Sequence, residues 1–292
     1  MLQAFDVDFY FSAGRCAGHP PHFGGSMTDS GSAIDNAVFD ERLANFQKWQ
    51  ETPWGQLRYS VVAANLDRHL DDRPLRVLDV AGGNGREAVR LAARGHHVTV
   101  LDVAPVSLAG ARDIAAEHGV AGLVEVREGD AHDVADLFAG QAFDLMLCHN
   151  LLQYVPDPAV VVGGIVKCLK PGGLLSVVGP NAYAVPLEAA VRELDLATAR
   201  SAVDARYKPN VVYGKDVPVL TSDEIGGHLG GAGLDVVGHY GVMNVCNLVA
   251  DNDIKYDPDF FGRLEELEIA LAGRMPYPLT ARMFHLIAQR PR

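Results

Sequence analysis

The chain has 292 residues, of which 48% are hydrophobic and 21% charged, and its formal net charge at pH 7 is −12. This composition is ordinary for a globular enzyme of one domain with additions, and it contains no apolar run of the roughly 20 residues that a membrane-spanning helix needs. The acidic charge, with no basic run longer than two residues, counts against nucleic acid as a partner, because phosphate binding relies on clustered lysine and arginine. Four cysteines without a regular spacing predict free thiols and a cytoplasmic protein.

The first part of the chain predicts a tail followed by helices. Residues 1–30 are rich in glycine and proline and have no apolar period, which is typical of a flexible tail. Apolar residues at helical spacing over 34–50 and 57–70 then predict two helices, with a break between them, which we expect to cover a ligand pocket as a lid. The alternative is a plain amphipathic cover anchored by Trp49 and Trp54.

A glycine-rich turn over 81–85 is the most informative motif. It follows an apolar strand signal with Asp79 near its end, and it opens a helix signal over 87–94. The glycine spacing differs from the fingerprint of dinucleotide-binding proteins, and an acid so close to the turn would repel a pyrophosphate. Asp79 instead suits a ligand with a cationic amino group, such as the methionine part of S-adenosylmethionine. Gly82 and Gly83 let the backbone approach such a ligand.

Two further strand signals also end in acids. The strand predicted over 97–101 ends in Asp102, whose carboxylate can accept hydrogen bonds from both hydroxyls of a ribose. The strand predicted over 123–128 runs into Asp130, which fits the edge of an adenine together with nearby backbone amides. These acids therefore predict the remaining parts of a nucleoside-binding site.

A fourth strand, over 143–148, delivers His149 and Asn150, and a turn over 169–173 precedes a fifth strand over 174–178. Strands that alternate with helices predict an α/β fold, in which a parallel sheet carries helices on both faces. Ligands of such sheets bind beyond the carboxyl ends of the strands. We therefore expect the acids and His149 to share one site.

The rest of the chain predicts an insertion and two closing strands. The insertion over 181–220 contains a helical stretch over 187–202 and a loop with Tyr207, Tyr213 and Lys215. A helix starting at Thr221, strands over 234–242 and 283–288, and a helix over 260–271 complete a seven-stranded, mainly parallel sheet whose last strand is antiparallel. The expected division is a tail (1–30), a helical lid (31–71), a cofactor-binding core (72–180), a substrate cap (181–220) and the C-terminal part of the sheet (221–292).

This ordered set resembles the Rossmann-like class I S-adenosylmethionine-dependent methyltransferases. Within them the chain is most similar to the tRNA 5-carboxymethoxyuridine methyltransferase family. That similarity rests on four segments, Thr52-Pro53-Trp54-Gly55-Gln56-Leu57-Arg58, Leu75-Arg76-Val77-Leu78-Asp79, Ala93-Arg94-Gly95-His96 and Pro276-Tyr277. It implies that Arg58, Ala81, Gly82, Asp102, Ala131, His132 and His149 contact the cofactor. The full predicted cofactor set is Arg58, Asp79, Ala81, Gly82, Gly83, Asp102, Val103, Asp130, Ala131, His132 and His149.

The chain departs from that family at two places. Ala81 stands where the family usually has the first glycine of the turn. The family's lysine-rich stretch is reduced to the segment 206–210, which carries Arg206 and Lys208. The second departure favours a small-molecule acceptor, methylated on oxygen or nitrogen, over tRNA. Methyl ester formation on a 5-carboxymethoxyuridine carboxylate in tRNA is the alternative, and a non-catalytic S-adenosylmethionine-binding domain is a second one.

Methyl transfer from a sulfonium is an in-line displacement, so a base is needed only for a protonated acceptor. His149 and Tyr154 are the candidate catalytic residues, with a cofactor contact and a core aromatic as their simpler roles. Other residues after the fourth and fifth strands that face the methyl group are Asn150, Gln153, Asn181 and Tyr183. A carboxylate acceptor needs no base, and the cations that could position it are Arg58, Arg206, Lys208 and Lys215.

Other chemistries lack support in the sequence. Cys16, His19 and His22 are too few for a metal site without a partner elsewhere in the chain. No zinc spacing, phosphate-binding loop or nucleophile elbow is present, which leaves hydrolase and kinase functions without a motif. The oligomeric state stays open.

Overall fold

The structure is a computed structural model that describes residues 47–210 and 215–292. The predicted tail over 1–30, with its cysteine and histidines, and most of the helix predicted over 34–50 lie outside the described residues, as does Tyr213. The second predicted helix, expected over 57–70, begins earlier in the structure, at Pro53. Thr52 caps this helix by accepting a hydrogen bond from the Gly55 N–H at 3.1 Å, and proline is well suited to a first helical position.

The described residues form nine strands. They are β1 (Arg76–Val80), β2 (His97–Asp102), β3 (Val124–Glu128), β4 (Phe143–His149), β5 (Leu169–Pro180), β6 (Tyr207–Asn210), β7 (Lys215–Pro218), β8 (Asp235–Val242) and β9 (Met283–Gln289). Seven of them build one sheet in the order β3-β2-β1-β4-β5-β9-β8. All pairs from β3 to β5 are parallel, and β9 runs antiparallel to both β5 and β8. The predicted seven-stranded, mainly parallel sheet is confirmed.

The α-helices that lie wholly within the described residues are α1 (Pro53–Asp67), α2 (Arg86–Ala92), α3 (Pro105–Glu117), α4 (Val134–Leu137), α5 (Pro158–Cys168), α6 (Ala184–Leu187), α7 (Leu196–Ala202), α8 (Ser222–Gly231), α9 (Pro258–Leu271) and α10 (Tyr277–Thr280). Buried side chains of α2 and α3 pack on one face of the sheet, and those of α4, α5 and α8 pack on the other. A third apolar cluster joins α1 to α9 and to the ends of β5, β8 and β9. The expected two-faced α/β architecture follows from these layers.

The insertion differs from its prediction. The single helix expected over 187–202 is broken, because Leu194 has a left-handed backbone with φ of 55° and Asp195 starts a new helix. The Asp195 carboxylate accepts hydrogen bonds from the N–H groups of Ala197 and Thr198, each at 3.0 Å. The predicted loop that follows instead contains a small antiparallel sheet formed by β6 and β7.

Candidate active site

The glycine-rich turn joins β1 to α2, as predicted, and its backbone is left-handed at three positions. Gly83 and Gly85 have φ of 56° and 70°, and Ala81, which stands at the family's glycine position, also has a positive φ of 57°. Gly82 is required for a different reason, since a Cβ atom there would lie 2.6 Å from Cγ of Asp79. The turn therefore wraps closely around the Asp79 carboxyl group.

Asp79 is 1% exposed, and its Oδ2 atom has no hydrogen-bond partner among residues 47–210 and 215–292. Burial raises the pKa of Asp79 well above its ordinary value, and the nearby carboxylates of Glu87 and Asp102 raise it further. A buried acid without a partner is costly. A ligand that brings an ammonium group to the turn would supply the missing partner, which fits the amino group of S-adenosylmethionine.

The next two acids lie at the carboxyl ends of neighbouring strands. At the end of β2, Asp102 accepts hydrogen bonds from the N–H groups of Gly83 and Ala104, each at 2.9 Å. After β3, Asp130 accepts a bond from the His132 N–H at 2.8 Å, and its carboxylate is 48% exposed. The strand order β3-β2-β1 thus brings Asp130, Asp102 and Asp79 to one edge of the sheet. Val103 and Ala131, the remaining predicted contacts, are adjacent in sequence to these acids.

A buried ionic network connects α1, α2 and β4 next to the turn. Oε1 of Glu87 lies 3.1 Å from Nη1 of Arg58 and 2.8 Å from Nδ1 of His149. Burial alone would raise the pKa of Glu87, but the positive charge of Arg58, together with His149, lowers it to about 2. The structure therefore brings the predicted Arg58 and His149 together through Glu87, which the sequence did not single out.

The network continues across the sheet to β9. Nε2 of His149 lies 2.8 Å from Oγ of Ser176, which lies 2.9 Å from Nε2 of His285. Burial, and then the electrostatic influence of the neighbouring His149, lowers the pKa of His285 well below its ordinary value, so His285 is neutral at pH 7. One proton arrangement suits the two hydrogen bonds of Ser176: Nε2–H of His285 donates to Ser176, and Ser176 donates to Nε2 of His149.

This arrangement bears on the predicted catalytic role of His149. The imidazole is buried and both of its nitrogens face protein groups within 2.8 Å. Such a ring is poorly placed to remove a proton from an acceptor. Tyr154, the other catalytic candidate, is half-buried in the short helical turn Leu152–Tyr154 that follows β4.

The other residues predicted near the methyl group divide into buried and exposed ones. The Asn181 amide donates to the carbonyls of Leu279 and Ala281, each at 2.9 Å, which fixes the chain after β5. Gln153 is buried and donates to the Asn150 carbonyl at 3.0 Å. Tyr183, in contrast, is 48% exposed. The asparagine and glutamine side chains therefore have structural partners.

The predicted acceptor-positioning cations are either engaged or outside the described side chains. Arg58 pairs with Glu87, and Arg206 is 82% exposed and lies 3.4 Å from Glu224. The side chains of Lys208 and Lys215 are not among the described ones.

The fold agrees with comparisons to known proteins. A family model described as a methyltransferase domain matches residues 71–227, which is more than half of the chain. The chain belongs to the methyltransferase domain family. Together with the relatives and solved structures below, this match establishes an S-adenosylmethionine-dependent methyltransferase, and the intact turn and Asp102 give no support to a non-catalytic domain.

Two relatives of this methyltransferase differ in how much of it they match. The tRNA 5-carboxymethoxyuridine methyltransferase of Escherichia coli (strain K12) is 29% identical over 246 residues, which cover 82% of the chain and 90% of the relative. The ubiquinone biosynthesis O-methyltransferase of Xylella fastidiosa (strain 9a5c) is 41% identical over 104 residues, which cover 35% of the chain and 40% of the relative. The first similarity covers most of both chains, whereas the second is confined to a part of each.

Solved structures share the fold of the methyltransferase. The 1,6-didemethyltoxoflavin-N1-methyltransferase of Burkholderia thailandensis, solved with S-adenosylhomocysteine, has a TM-score of 0.55 at 16% identity and covers 91% of this chain and 94% of its own. The N-methyltransferase NodS of Bradyrhizobium japonicum, also with S-adenosylhomocysteine, has a TM-score of 0.55 at 15% identity and covers 89% of this chain and 100% of its own. At these identities the likeness concerns the fold alone.

Two further observations concern the described part of the methyltransferase. None of its helices combines the length and apolarity that a membrane crossing requires. Within residues 47–210 and 215–292, the acids, histidines and cysteines form no group of three or more that could hold a metal ion. Cys148, Cys168 and Cys246 are free and buried.

Proposed function

We propose that this methyltransferase forms a methyl ester on a carboxylate, and that the carboxylate of 5-carboxymethoxyuridine in tRNA is its acceptor. The observation that carries the proposal is the extent of the similarity to the Escherichia coli tRNA enzyme, which covers 82% of the chain and 90% of the relative. We expect residues outside the cofactor-binding core to contact the acceptor, so similarity over most of the chain bears on acceptor choice.

The proposed cofactor site is the edge described above. When bound, S-adenosylmethionine supplies a methyl group on a positively charged sulfur. We assign the amino group of the cofactor to Asp79, its ribose hydroxyls to Asp102 and its adenine to Asp130 and the adjacent segment. The whole proposed set is Arg58, Asp79, Ala81, Gly82, Gly83, Asp102, Val103, Asp130, Ala131, His132 and His149. In this assignment Arg58 and His149 close the pocket as a pair held by Glu87.

The engagement of His149 supports a carboxylate as the acceptor. A phenol, alcohol or ammonium acceptor needs a base, whereas a carboxylate is already ionised at neutral pH. Transfer to a carboxylate oxygen forms one C–O bond as the C–S bond breaks. The electron pair of that bond stays on sulfur, and no proton moves. The buried and doubly engaged imidazole is then no obstacle to catalysis.

A small-molecule acceptor is the second candidate, and a different observation favours it. The formal net charge is −12, and the segment 206–210 of the cap carries only two basic residues. Binding to tRNA would have to overcome this charge. For a hydroxyl or amine acceptor, we assign the assistance of proton removal to Tyr154, which lies in the turn after β4. In either case we propose that the lid up to residue 71 and the cap over 181–220 enclose the acceptor above the core.

Radiolabelled S-adenosylmethionine separates these candidates. The enzyme is incubated with tRNA from a strain that lacks the methyl ester and, in parallel, with a small-molecule extract. Label in the tRNA fraction that is released by mild alkaline hydrolysis supports ester formation on tRNA. Alkali-stable label in the small-molecule fraction supports the second candidate. If neither fraction gains label while the cofactor binds, both acceptor assignments are wrong.

A further inference from the structure

Three cationic side chains meet at the segment 246–252, far from the glycine-rich turn in sequence. Nζ of Lys255 donates to the Val249 carbonyl at 2.8 Å and to Oδ1 of Asn252 at 2.9 Å. Arg192, from the cap, donates to the same two acceptors at 3.0 and 3.2 Å. Since they share both acceptors, the ammonium and the guanidinium lie side by side.

The third cation of this group joins through Asn247. Arg282 donates to Oδ1 of Asn247, and Arg192 donates to the Asn247 carbonyl at 3.4 Å. We call Arg192, Lys255 and Arg282 the cation cluster. The carbonyl and amide oxygens named here hold the three cations in fixed positions relative to one another.

The carboxylate of Glu268 binds the backbone at the start of the same segment. It is fully buried and accepts hydrogen bonds at 2.6 to 2.8 Å from the backbone N–H groups of Asn244, Val245 and Cys246. These bonds fix the chain on which the cluster assembles. Asp251, the acid nearest along that segment, is exposed.

The charges of the cluster act on one another. Lys255 is only 2% exposed, and burial together with the charges of Arg192 and Arg282 lowers its pKa. The negative charge of Asp251 acts on Lys255, and the carboxylate of Glu268 lies at Cys246. Three cations against these two carboxylates favour the binding of an anion. Such a concentration is unusual in a chain with a net charge of −12.

The cation cluster lies near the carboxyl end of β5 and near the helix α1. Arg282 directly precedes β9, and its carbonyl accepts a hydrogen bond from the Asn181 N–H at 2.9 Å, just beyond the carboxyl end of β5. Nζ of Lys255 lies 5.6 Å from the ring centroid of Trp54, which stands one helical turn before Arg58 on α1. The cluster therefore sits between the lid helix, the cap and the strand end next to β4.

We propose that Arg192 and Arg282, with Lys255 behind them, form the subsite that binds the carboxylate of the methyl acceptor. Both guanidinium groups belong to half-buried side chains, and guanidinium is the cation best suited to a carboxylate because it can donate two parallel hydrogen bonds. This inference rests on the proposed ester-forming function. It assigns to the acceptor three residues that the sequence did not single out.

The kinetic test uses Arg192→Gln and Arg282→Gln. Each loses a charge-assisted interaction, so kcat/KM for the acceptor should fall about ten- to a hundred-fold, while the affinity for S-adenosylhomocysteine stays at the parental value. Arg200→Gln is the matched control, since Arg200 lies on the same cap but is 74% exposed and pairs with Asp204. Parental acceptor kinetics in both variants, or an equal loss in the control, would overturn the assignment.

A binding test does not depend on the acceptor being known. The chain has two tryptophans, and the contact with Lys255 makes the Trp54 fluorescence a reporter of the cluster. Acetate and inorganic phosphate are titrated against the parent at constant ionic strength, and the titration is repeated in Trp49→Phe to assign the signal to Trp54. A saturable response to acetate that Arg282→Gln abolishes supports the subsite, even if no acceptor is methylated.

Two results would contradict the proposal. An acetate response no larger than that of chloride means that the cluster is structural only. A response to phosphate but not to acetate means that it binds a phosphate group rather than the carboxylate. If the anion test succeeds and labelled tRNA and extract both fail, the ester-forming function is wrong but the oxyanion site stands.

Discussion

The replacement Glu87→Gln tests the buried network that joins Arg58 to His149. Glutamine keeps the shape of the side chain but removes the charge that both partners face, at 3.1 Å from Nη1 of Arg58 and 2.8 Å from Nδ1 of His149. Arg58 is then left as a cation with 3% of its side chain exposed and without the Glu87 carboxylate. Breaking one member of such a buried pair is strongly destabilising.

The magnitude follows from the pKa of Glu87, which falls from its ordinary 4.5 to about 2 on folding. A pKa difference of this size corresponds to roughly 3 kcal/mol of preferential stabilisation of the charged form in the folded state. Because folding lowers the pKa, this contribution is fully present above pH 4.5. It is lost as the pH falls towards about 2.

Chemical unfolding of parent and variant, from pH 8 downwards, measures this contribution. At pH 7 we expect the free energy of unfolding to fall by roughly 3 kcal/mol, or the melting temperature by about 6–12 °C for a protein of this size. The difference between the two proteins should stay constant down to pH 5 and shrink below pH 4.5. Glu51→Gln is the control, because Glu51 pairs with Arg86 at the surface with 64% of its side chain exposed, and it should change stability by less than about 0.5 kcal/mol. A loss at pH 7 no larger than that of the control, or a difference that does not shrink in acid, would refute the reasoning.

Three further predictions concern the cofactor edge and the segment that bears the cation cluster. Asp102→Ala removes the proposed ribose ligand and the acceptor of two backbone hydrogen bonds. Calorimetry should therefore show S-adenosylhomocysteine binding weakened by about ten- to a hundred-fold. Unchanged affinity would rule out the ribose assignment. Ala81→Gly relieves a left-handed backbone at φ of 57° and should raise the free energy of unfolding by up to about 1 kcal/mol, whereas a loss of stability would show that this strain is absent. Glu268→Gln places an amide N–H₂ against backbone N–H donors. Urea unfolding should show the free energy of unfolding lowered by roughly 3 kcal/mol. A near-neutral effect would mean that the Glu268 carboxylate is not needed to hold this backbone.

The sequence by itself determined the sheet and the edge at which Asp79, Asp102 and Asp130 meet. Each of the first three strand signals carries its own acid at or near its end, so local patterns alone were enough to locate Asp79, Asp102 and Asp130. Parallel strands bring their carboxyl ends to the same edge, which is why three acids spaced along the chain become neighbours. The same local reading failed where a turn or cap overrides apolar spacing, as at Asp195, whose carboxylate starts a new helix within the predicted one.

Only the tertiary structure decided which distant polar residues meet. His149, Ser176 and His285 lie on β4, β5 and β9, and their contact depends on a register that aligns His149 with Val178 and Val178 with His285. Nothing in the neighbourhood of any one of them encodes that register, because it is set by the order of the strands and by the packing of helices over them. The cation cluster arises in the same way, from side chains of the cap, of a late loop and of the start of β9. Apolar periodicity reports which positions are buried, but a buried charge finds its partner only when the whole fold has formed.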